Sequence, residues 1–208
     1  NATLVFTWVA MAVLVIGSWL ATRRISLTGH GGRGQTLMET IVSVIAQQIA
    51  EITQRKPGQF MPFIGTLFLF IAVANLLGVV PGYHSPTGSL STTAALAFCV
   101  FIAVPIFGIS KLGVSTYLRQ YIQPSPFMLP FNIIGELSRT LALAVRLFGN
   151  VMSGQMIVAI LLAIVPLFFP IVMQLMGMLV GVIQAYIFAV LAMVYIASAI
   201  NVAGRAEE

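Results

Sequence analysis

The sequence predicts an all-α integral membrane protein with five membrane-crossing helices and one amphipathic helix lying in the membrane plane. Hydrophobic residues make up 59% of the 208-residue chain and charged residues only 7%, whereas soluble proteins carry about 25% charged residues. Five apolar stretches are long enough to cross a hydrocarbon core, which takes about 20 residues of helix. A sixth stretch alternates polar and apolar residues with the period of a helix.

The five apolar stretches are residues 3–22, 60–80, 90–109, 131–165 and 170–203. All should be helices, because an open sheet cannot satisfy its backbone groups in lipid. Each of the last two would span roughly 50 Å as a helix, against a hydrocarbon thickness of about 30 Å. We therefore expect a steeply tilted or kinked hairpin, joined around residues 166–170, within a single membrane domain that covers residues 1–208.

Residues 35–54 differ from these stretches because their apolar and polar residues occupy opposite faces. The apolar face contains Met38, Ile41, Ile45, Ile49 and Ile52, and the polar face contains Thr40, Ser43, Gln47, Glu51 and Gln54. Steps of three and four residues in both sets predict an amphipathic helix on the membrane surface.

Lysine and arginine are unevenly distributed among the connections, and this predicts the orientation. They are Arg23, Arg24, Arg33, Arg55 and Lys56 in the first connection, Lys111 and Arg119 in the third, and Arg205 in the tail. Residues 81–89 contain none. The positive-inside rule then predicts that the N-terminus is outside and the C-terminus cytoplasmic. The net positive charge therefore reflects the orientation of the protein in the membrane, and we expect no nucleic-acid partner.

Arg146 is unusual because it lies in the middle of an apolar helix. A cation there costs roughly 2.5 to 3.5 kcal/mol on insertion scales and usually marks a functional site. Its stripe contains Arg139, Asn150 and Ser153, at spacings of seven, four and three. Glu136 is the only acid of the segment and lies about 15 Å away along the axis. We infer that the countercharge comes from another subunit.

The final apolar segment has no charged residue between Ile171 and Gly204. Its polar or small residues form one stripe: Gln174, Gly177, Gly181, Gln184, Tyr195 and Ser198. Arginine does not release its proton at ordinary pH, so Arg146 is suited to be a permanent charge rather than a relay. A carboxylate brought beside it is favoured in the ionised form and would give up a bound cation.

The segment Glu136-Leu-Ser-Arg-Thr-Leu-Ala-Leu-Ala-Val-Arg-Leu-Phe-Gly-Asn150 closely resembles the signature of subunit a of rotary F-type ATP synthases. Further strings resemble that family in order and at fitting separations: Asn75-Leu-Leu-Gly-Val-Val-Pro81, Tyr121-Ile-Gln-Pro-Ser-Pro126, and Ile183-Gln-Ala-Tyr-Ile-Phe188 through Tyr195. The resemblance covers nearly the whole chain.

The resemblance implies a stator ion-channel subunit with two half-channels that load and unload H+ or Na+ on carboxylates of a ring of c subunits. It implies that the tilted hairpin lies against this ring, that Arg146 meets the ring carboxylate near Gln184, and that the surface helix faces the b subunits of the peripheral stalk. The candidate ion-translocation residues are Arg146, Asn150, Ser153, Gln155, Gln184 and Tyr195. The chain would be a non-catalytic subunit without nucleotide chemistry, cofactor or metal site, in a bacterial inner membrane.

Three positions depart from the family pattern. Many members carry an acid at the position of Gln155, and an aspartate is common at the position of Ser89. Gly177 occupies the position that, in some members, pairs with the acid found at position 155. Gln155 lies about 180° round the helix from Arg146, so it belongs to an aqueous path rather than the arginine face. A neutral amide cannot relay protons as a carboxylate does. The segments 85–93 and 149–155 look similar to the sodium-moving N-type ATPases, which favours Na+ and leaves H+ open.

Three other functions are weighed against this one. In a self-contained transporter or channel, Arg146 would bind an anionic substrate, but such proteins usually contain internal repeats, and we see none. A voltage sensor would carry charges at every third residue, whereas Arg139 and Arg146 are isolated. A passive scaffold would tolerate replacement of Arg146 and Gln184 by alanine.

Overall fold

The computed structural model describes residues 2–22, 33–53, 57–80, 83–122, 127, 129–165 and 168–204. These ranges contain no strand, and five of their helices are long and apolar enough to cross a membrane, which confirms the all-α membrane class. The helices are α1 (Ala2–Thr22), α2 (Arg33–Thr53), α3 (Met61–Leu76), α4 (Leu90–Leu112), α5 (Val114–Ile122), α6 (Leu129–Ile164) and α7 (Phe169–Gly204). The basic residues at 23, 24, 55, 56 and 205 lie outside the described residues.

Single 3-10 turns flank the helices at Pro57–Gln59, Leu77–Val79 and Pro86–Gly88. The last of these turns leads into α4, whose first turn is capped by Ser89. The Ser89 hydroxyl oxygen accepts a hydrogen bond from the backbone N–H of Thr92 at 3.4 Å, which satisfies one of the free donors of a helix start.

Helix α5 was not predicted from the sequence, in which residues 110–130 read as a connection. Gly113 separates it from α4 with a φ of 81°, a backbone conformation that favours glycine. Nine residues are too few for a stable isolated helix. The buried ring of Tyr117 packs directly on Gly108 of α4, and this contact holds the short helix in place.

Gly108→Val should weaken the attachment of α5. A Cβ at this position would lie 2.5 Å from Cε2 of Tyr117, so the ring must leave its site. Overpacking of this kind costs about 1–3 kcal/mol, and we expect a lower thermal stability of the purified complex. Gly17→Ala is the matched control, because a Cβ there meets nothing within 4 Å. Equal stability of the two variants would contradict the assigned role of the Tyr117 contact.

The core of the bundle is built around α7, which packs against α3, α4 and α6. Small residues of α7, including Ala185 and Ala192, are fully buried and allow neighbouring helices to approach closely. Phe188 and Ile196 fill the space beside them. By contrast, the described part of α1 has one buried residue, Ala10, and otherwise exposes apolar side chains at the edge of the bundle.

Helix α2 is amphipathic as expected, but protein covers part of its apolar face. Ile49 is buried in the core, and Ile45 and Ile52 pack against it, while Ser43 and Glu51 are exposed. The face that we expected to meet lipid therefore docks partly on α3 and α7. The side chain of Met38 and residue 54 lie outside the described residues.

Candidate functional site

Helix α6 is attached to the bundle by one face, and Arg146 lies off that face. Leu143, Ala144 and Leu147 are buried, whereas Arg146 and Val145 are exposed. Within the described ranges, Arg146 makes no hydrogen bond, ion pair or ring contact. The guanidinium is therefore accessible to a partner group from outside the described residues.

The arginine stripe predicted from the spacing is joined to α7 at one end. The Cζ atom of Arg139 lies 5.8 Å from the centre of the Tyr195 ring, a cation–π geometry worth about 0.5–1 kcal/mol at an exposed site. Ser153 donates its hydroxyl to the Asn150 carbonyl at 3.1 Å, a bond within the helix. The Asn150 residue is half-buried, and Ser153 is exposed.

Gln184 on α7 is a buried amide with an unused donor. The residue is only 7% exposed, and its Nε2 atom has no hydrogen-bond partner among the described residues. A buried polar group left unpaired costs about 1–3 kcal/mol. This unpaired donor distinguishes Gln184 from Asn75, another buried amide, whose donor and acceptor are both used within the chain.

Gln155 lies on the other flank of α6, in contact with the connection between α3 and α4. An added Cβ at Gly88 would lie 3.0 Å from Oε1 and 3.2 Å from Nε2 of Gln155. The exposed amide of Gln155 therefore rests on the Pro86–Gly88 turn, away from Arg146. Gln155 and Arg146 are nine residues apart on α6, about 180° round the helix, and Gln155 contacts the Pro86–Gly88 turn.

Gly88→Ala should displace the Gln155 amide from the Pro86–Gly88 turn. The new methyl group needs the space that the amide holds, and an off-rotamer side chain costs about 0.5–1.5 kcal/mol. We expect a lower thermal stability of the purified protein. Gly135→Ala is the control on α6, since a Cβ there meets nothing within 4 Å. Equal stability of the two variants would show that the Gln155 contact contributes nothing to packing.

A buried polar network joins this same connection to α3 and α7. The Asn75 Nδ2 donates to the Gly181 carbonyl at 3.0 Å, and the Thr87 hydroxyl donates to Asn75 Oδ1 at 2.7 Å. The Ser85 hydroxyl donates to the Ala74 carbonyl at 3.1 Å. Sequence reasoning missed this network, although Asn75 stood in a motif and Gly181 in the polar stripe.

The polar stripe of α7 serves more than one purpose. Gln174 Nε2 donates to the carbonyls of Gly78 and Val79 at 3.1 and 3.2 Å, so it ties α7 to the end of α3. Gly181 accepts from Asn75 in the same region. Further along, Gln184 has a free donor and Tyr195 lies beneath Arg139. The first part of the stripe therefore holds helices together, and Tyr195 in the second part contacts Arg139 of the arginine stripe.

The described residues contain no group of three His, Cys, Asp or Glu side chains that could hold a metal ion. In the connection between α3 and α4, burial raises the pKa of the Tyr83 phenol, whose ring packs edge-on against Phe6 at 4.9 Å. The candidate site thus consists of one exposed arginine, one buried amide with a free donor, and neutral polar side chains around the 85–89 connection.

Comparison with known proteins extends these observations to nearly the whole chain. Residues 4–197 match the family described as ATP synthase A chain. ATP synthase subunit a 2 of Acaryochloris marina is 64% identical over 202 residues, covering 97% of this chain and 86% of that protein. ATP synthase subunit a 1 of Crocosphaera subtropica is 62% identical over 205 residues, covering 99% and 89%.

A third relative, ATP synthase subunit a of Albidiferax ferrireducens, is 60% identical over 199 residues, covering 96% of this chain and 86% of that protein. The matched region includes α6 and most of α7, with Arg146 and Gln184. The chain is a multi-pass membrane protein, and it belongs to the ATP synthase A chain family, whose members are the subunit a component of the ATP synthase F0 sector.

Proposed function

We propose that this chain forms the stator ion channel of a rotary ATP synthase. Two offset half-channels would load and unload ions on the carboxylates of a rotating c ring, and Arg146 would keep the two paths apart. The driving energy is about 2.3 kcal/mol per charge for each 100 mV of membrane potential, and rotation sums it over several ions.

The exposed, unpartnered guanidinium of Arg146 is the observation that carries this proposal. A permanent charge in a membrane helix is tolerated where it pairs or lines a polar cavity, and the described part of the chain provides no ion pair for it. A ring carboxylate arriving at α6 would meet Arg146 and lose its cation, because the adjacent positive charge stabilises the ionised acid.

The free donor of Gln184 supports the same arrangement. Its buried Nε2 could donate to the ring carboxylate while that group is ionised, and a hydrogen bond to a charged group contributes about 1.5–3 kcal/mol. Asn150, Ser153 and Tyr195 would line the same face. Gln155 would lie on the second, outer path, where it contacts the Pro86–Gly88 turn.

The remaining partners and the orientation belong to the same proposal. We place the N-terminus outside and the C-terminus in the cytoplasm of a bacterial inner membrane, because basic residues avoid the 81–89 connection. Helix α2 would lie in the membrane plane with its exposed polar face, including Ser43 and Glu51, toward the b subunits. Lipid would cover the exposed apolar side chains of α1.

Cysteine cross-linking in the whole complex tests the ring-facing assignment of α6. Gly149→Cys, in a background with Cys99→Ser, places a thiol in open space one turn from Arg146. We expect oxidative cross-links to cysteines on the outer helix of the c ring. Val15→Cys on α1, where Val15 is 68% exposed, is the control and should not reach the ring. The reverse result would refute the proposed docking face.

We further propose Na+ as the transported ion. The side chains of Gln155 and Ser89, which we place along the outer path, are neutral, and they offer the oxygen atoms that hard cations prefer without a carboxylate relay.

At neutral pH, Na+ should protect the ring carboxylate of the intact complex from carbodiimide modification. Choline chloride at the same ionic strength is the control and should give no protection. Equal modification in the two salts would point to H+ and contradict the assignment of Na+.

A further inference from the structure

Asn75 occupies the centre of a network that connects three parts of the fold. Its amide is buried near the end of α3, where Nδ2 donates to the Gly181 carbonyl of α7 and Oδ1 accepts from the Thr87 hydroxyl. Thr87 itself is completely buried. The Asn75 amide thus donates a hydrogen bond to α7 and accepts one from the connection between α3 and α4, which we call the outer connection.

The contact with α7 depends on the absence of a side chain at position 181. A Cβ on Gly181 would lie 2.9 Å from the Asn75 Cβ and 3.2 Å from Nδ2, closer than carbon atoms approach in folded proteins. The bonded carbonyl is three residues before Gln184, about one helical turn. The position of Asn75 therefore bears directly on the position of the helix segment that carries Gln184.

The contact with the outer connection is equally well defined. The Ser85 hydroxyl lies 2.7 Å from that of Thr87 and donates to the Ala74 carbonyl, so both hydroxyls are fixed against the end of α3. The neighbouring Gly88 contacts the amide of Gln155 on α6. A shift of this turn would therefore change the surroundings of Gln155.

We propose that Asn75 is a positioning residue for ion transport, which locks the outer connection to α7 and so fixes the outer ion path relative to Gln184. The inference rests on the proposed ion-channel function. An asparagine suits this role because it has both a donor and an acceptor, and each of its two bonds is needed to join the two parts.

The test uses the assembled ATP synthase and three variants: Asn75→Leu, Thr87→Val, and the two combined. Asn75→Leu removes both Asn75 bonds and leaves a buried Thr87 hydroxyl short of one partner, whereas Thr87→Val keeps the Asn75 bond to Gly181 but removes the Thr87 contacts with Asn75 and with the Ser85 hydroxyl. ATP synthesis is followed while Na+ and, separately, H+ are titrated on the outer face. Membrane content of the subunit is measured in parallel.

We expect Asn75→Leu to raise the apparent KM for the outer ion roughly tenfold, in line with the loss of buried hydrogen bonds worth about 1–3 kcal/mol. Thr87→Val should raise it less, and the double variant should raise it by less than the product of the two single effects, because the two residues share one bond. Thr87→Ser keeps the hydroxyl and should restore the wild-type KM. If Asn75→Leu does not assemble, the comparison of Thr87→Val with Thr87→Ser decides the test.

An unchanged KM with a maximal rate that falls in proportion to assembled subunit would overturn the inference, since it indicates stability alone. Multiplying effects in the double variant would also overturn it. Tyr186→Phe is the matched control: it deletes the 2.8 Å bond from the Tyr186 hydroxyl to Gln48 Oε1, which joins α7 to α2 instead. Arg146→Ala, run alongside, separates the two hypotheses, because normal transport in that variant would refute the channel function itself.

Discussion

Arg146→Ala is expected to abolish coupled ion transport while the complex still assembles. The Arg146 side chain makes no hydrogen bond or ion pair among the described residues, so its removal takes nothing from the packing of α6. Alanine is the best helix former, and the variant also avoids the cost of inserting a charge into the bilayer. Assembly, measured as subunit content of purified complex, should be unchanged.

The loss of transport should be at least about thirtyfold, because truncating one member of a desolvated charge pair costs roughly 2–5 kcal/mol. ATP-driven ion uptake into inverted vesicles measures it. Arg119→Ala is the matched control, since Arg119 is an exposed arginine of α5 and its removal changes the net charge equally. Coupled uptake at the wild-type rate in Arg146→Ala would refute the channel hypothesis and favour a scaffold.

The sequence was sufficient for the spans and for the arginine face, because both depend on local spacing. Hydrophobic length predicts a membrane helix without knowledge of its neighbours, and residues four apart share a helix face wherever the helix lies. Arg146 and Gln155 could be assigned to different flanks of α6 on this basis alone. The contact of Gln155 with Gly88 then identified what the second flank adjoins.

Features that depend on contacts between distant residues could not be predicted in this way. Asn75 and Gly181 are 106 residues apart, and no periodic pattern indicates that an amide meets a carbonyl across two helices. Helix α5 was missed for a related reason, since its stability comes from Tyr117 packing on Gly108 rather than from its own length.

The two buried amides of this region, Asn75 and Gln184, differ in how their hydrogen-bonding groups are used. Asn75 pairs both its donor and its acceptor inside the chain, whereas the Nε2 of Gln184 has no partner in the described part. Both residues are nearly inaccessible to solvent. Substitution by leucine, which has a similar size, should therefore affect them in opposite ways.

Gln184→Leu should leave thermal stability unchanged or slightly raised, because it removes a buried donor that makes no bond within the described chain. Asn75→Leu should lower stability, since it breaks two bonds. Coupled transport should nevertheless fall by roughly tenfold or more in Gln184→Leu, because the ring carboxylate loses a charge-assisted hydrogen bond worth about 1.5–3 kcal/mol.

Thermal unfolding of the purified complex and ion uptake, measured on the same preparations, separate these effects. A residue that only holds helices together loses transport in step with stability, whereas a residue that serves the ion loses transport alone. Gln184→Asn provides a graded comparison, because it keeps the amide but withdraws it by one methylene. A fall in stability that accounts for the lost transport of Gln184→Leu would assign Gln184 to helix packing and remove it from the proposed contact with the ring.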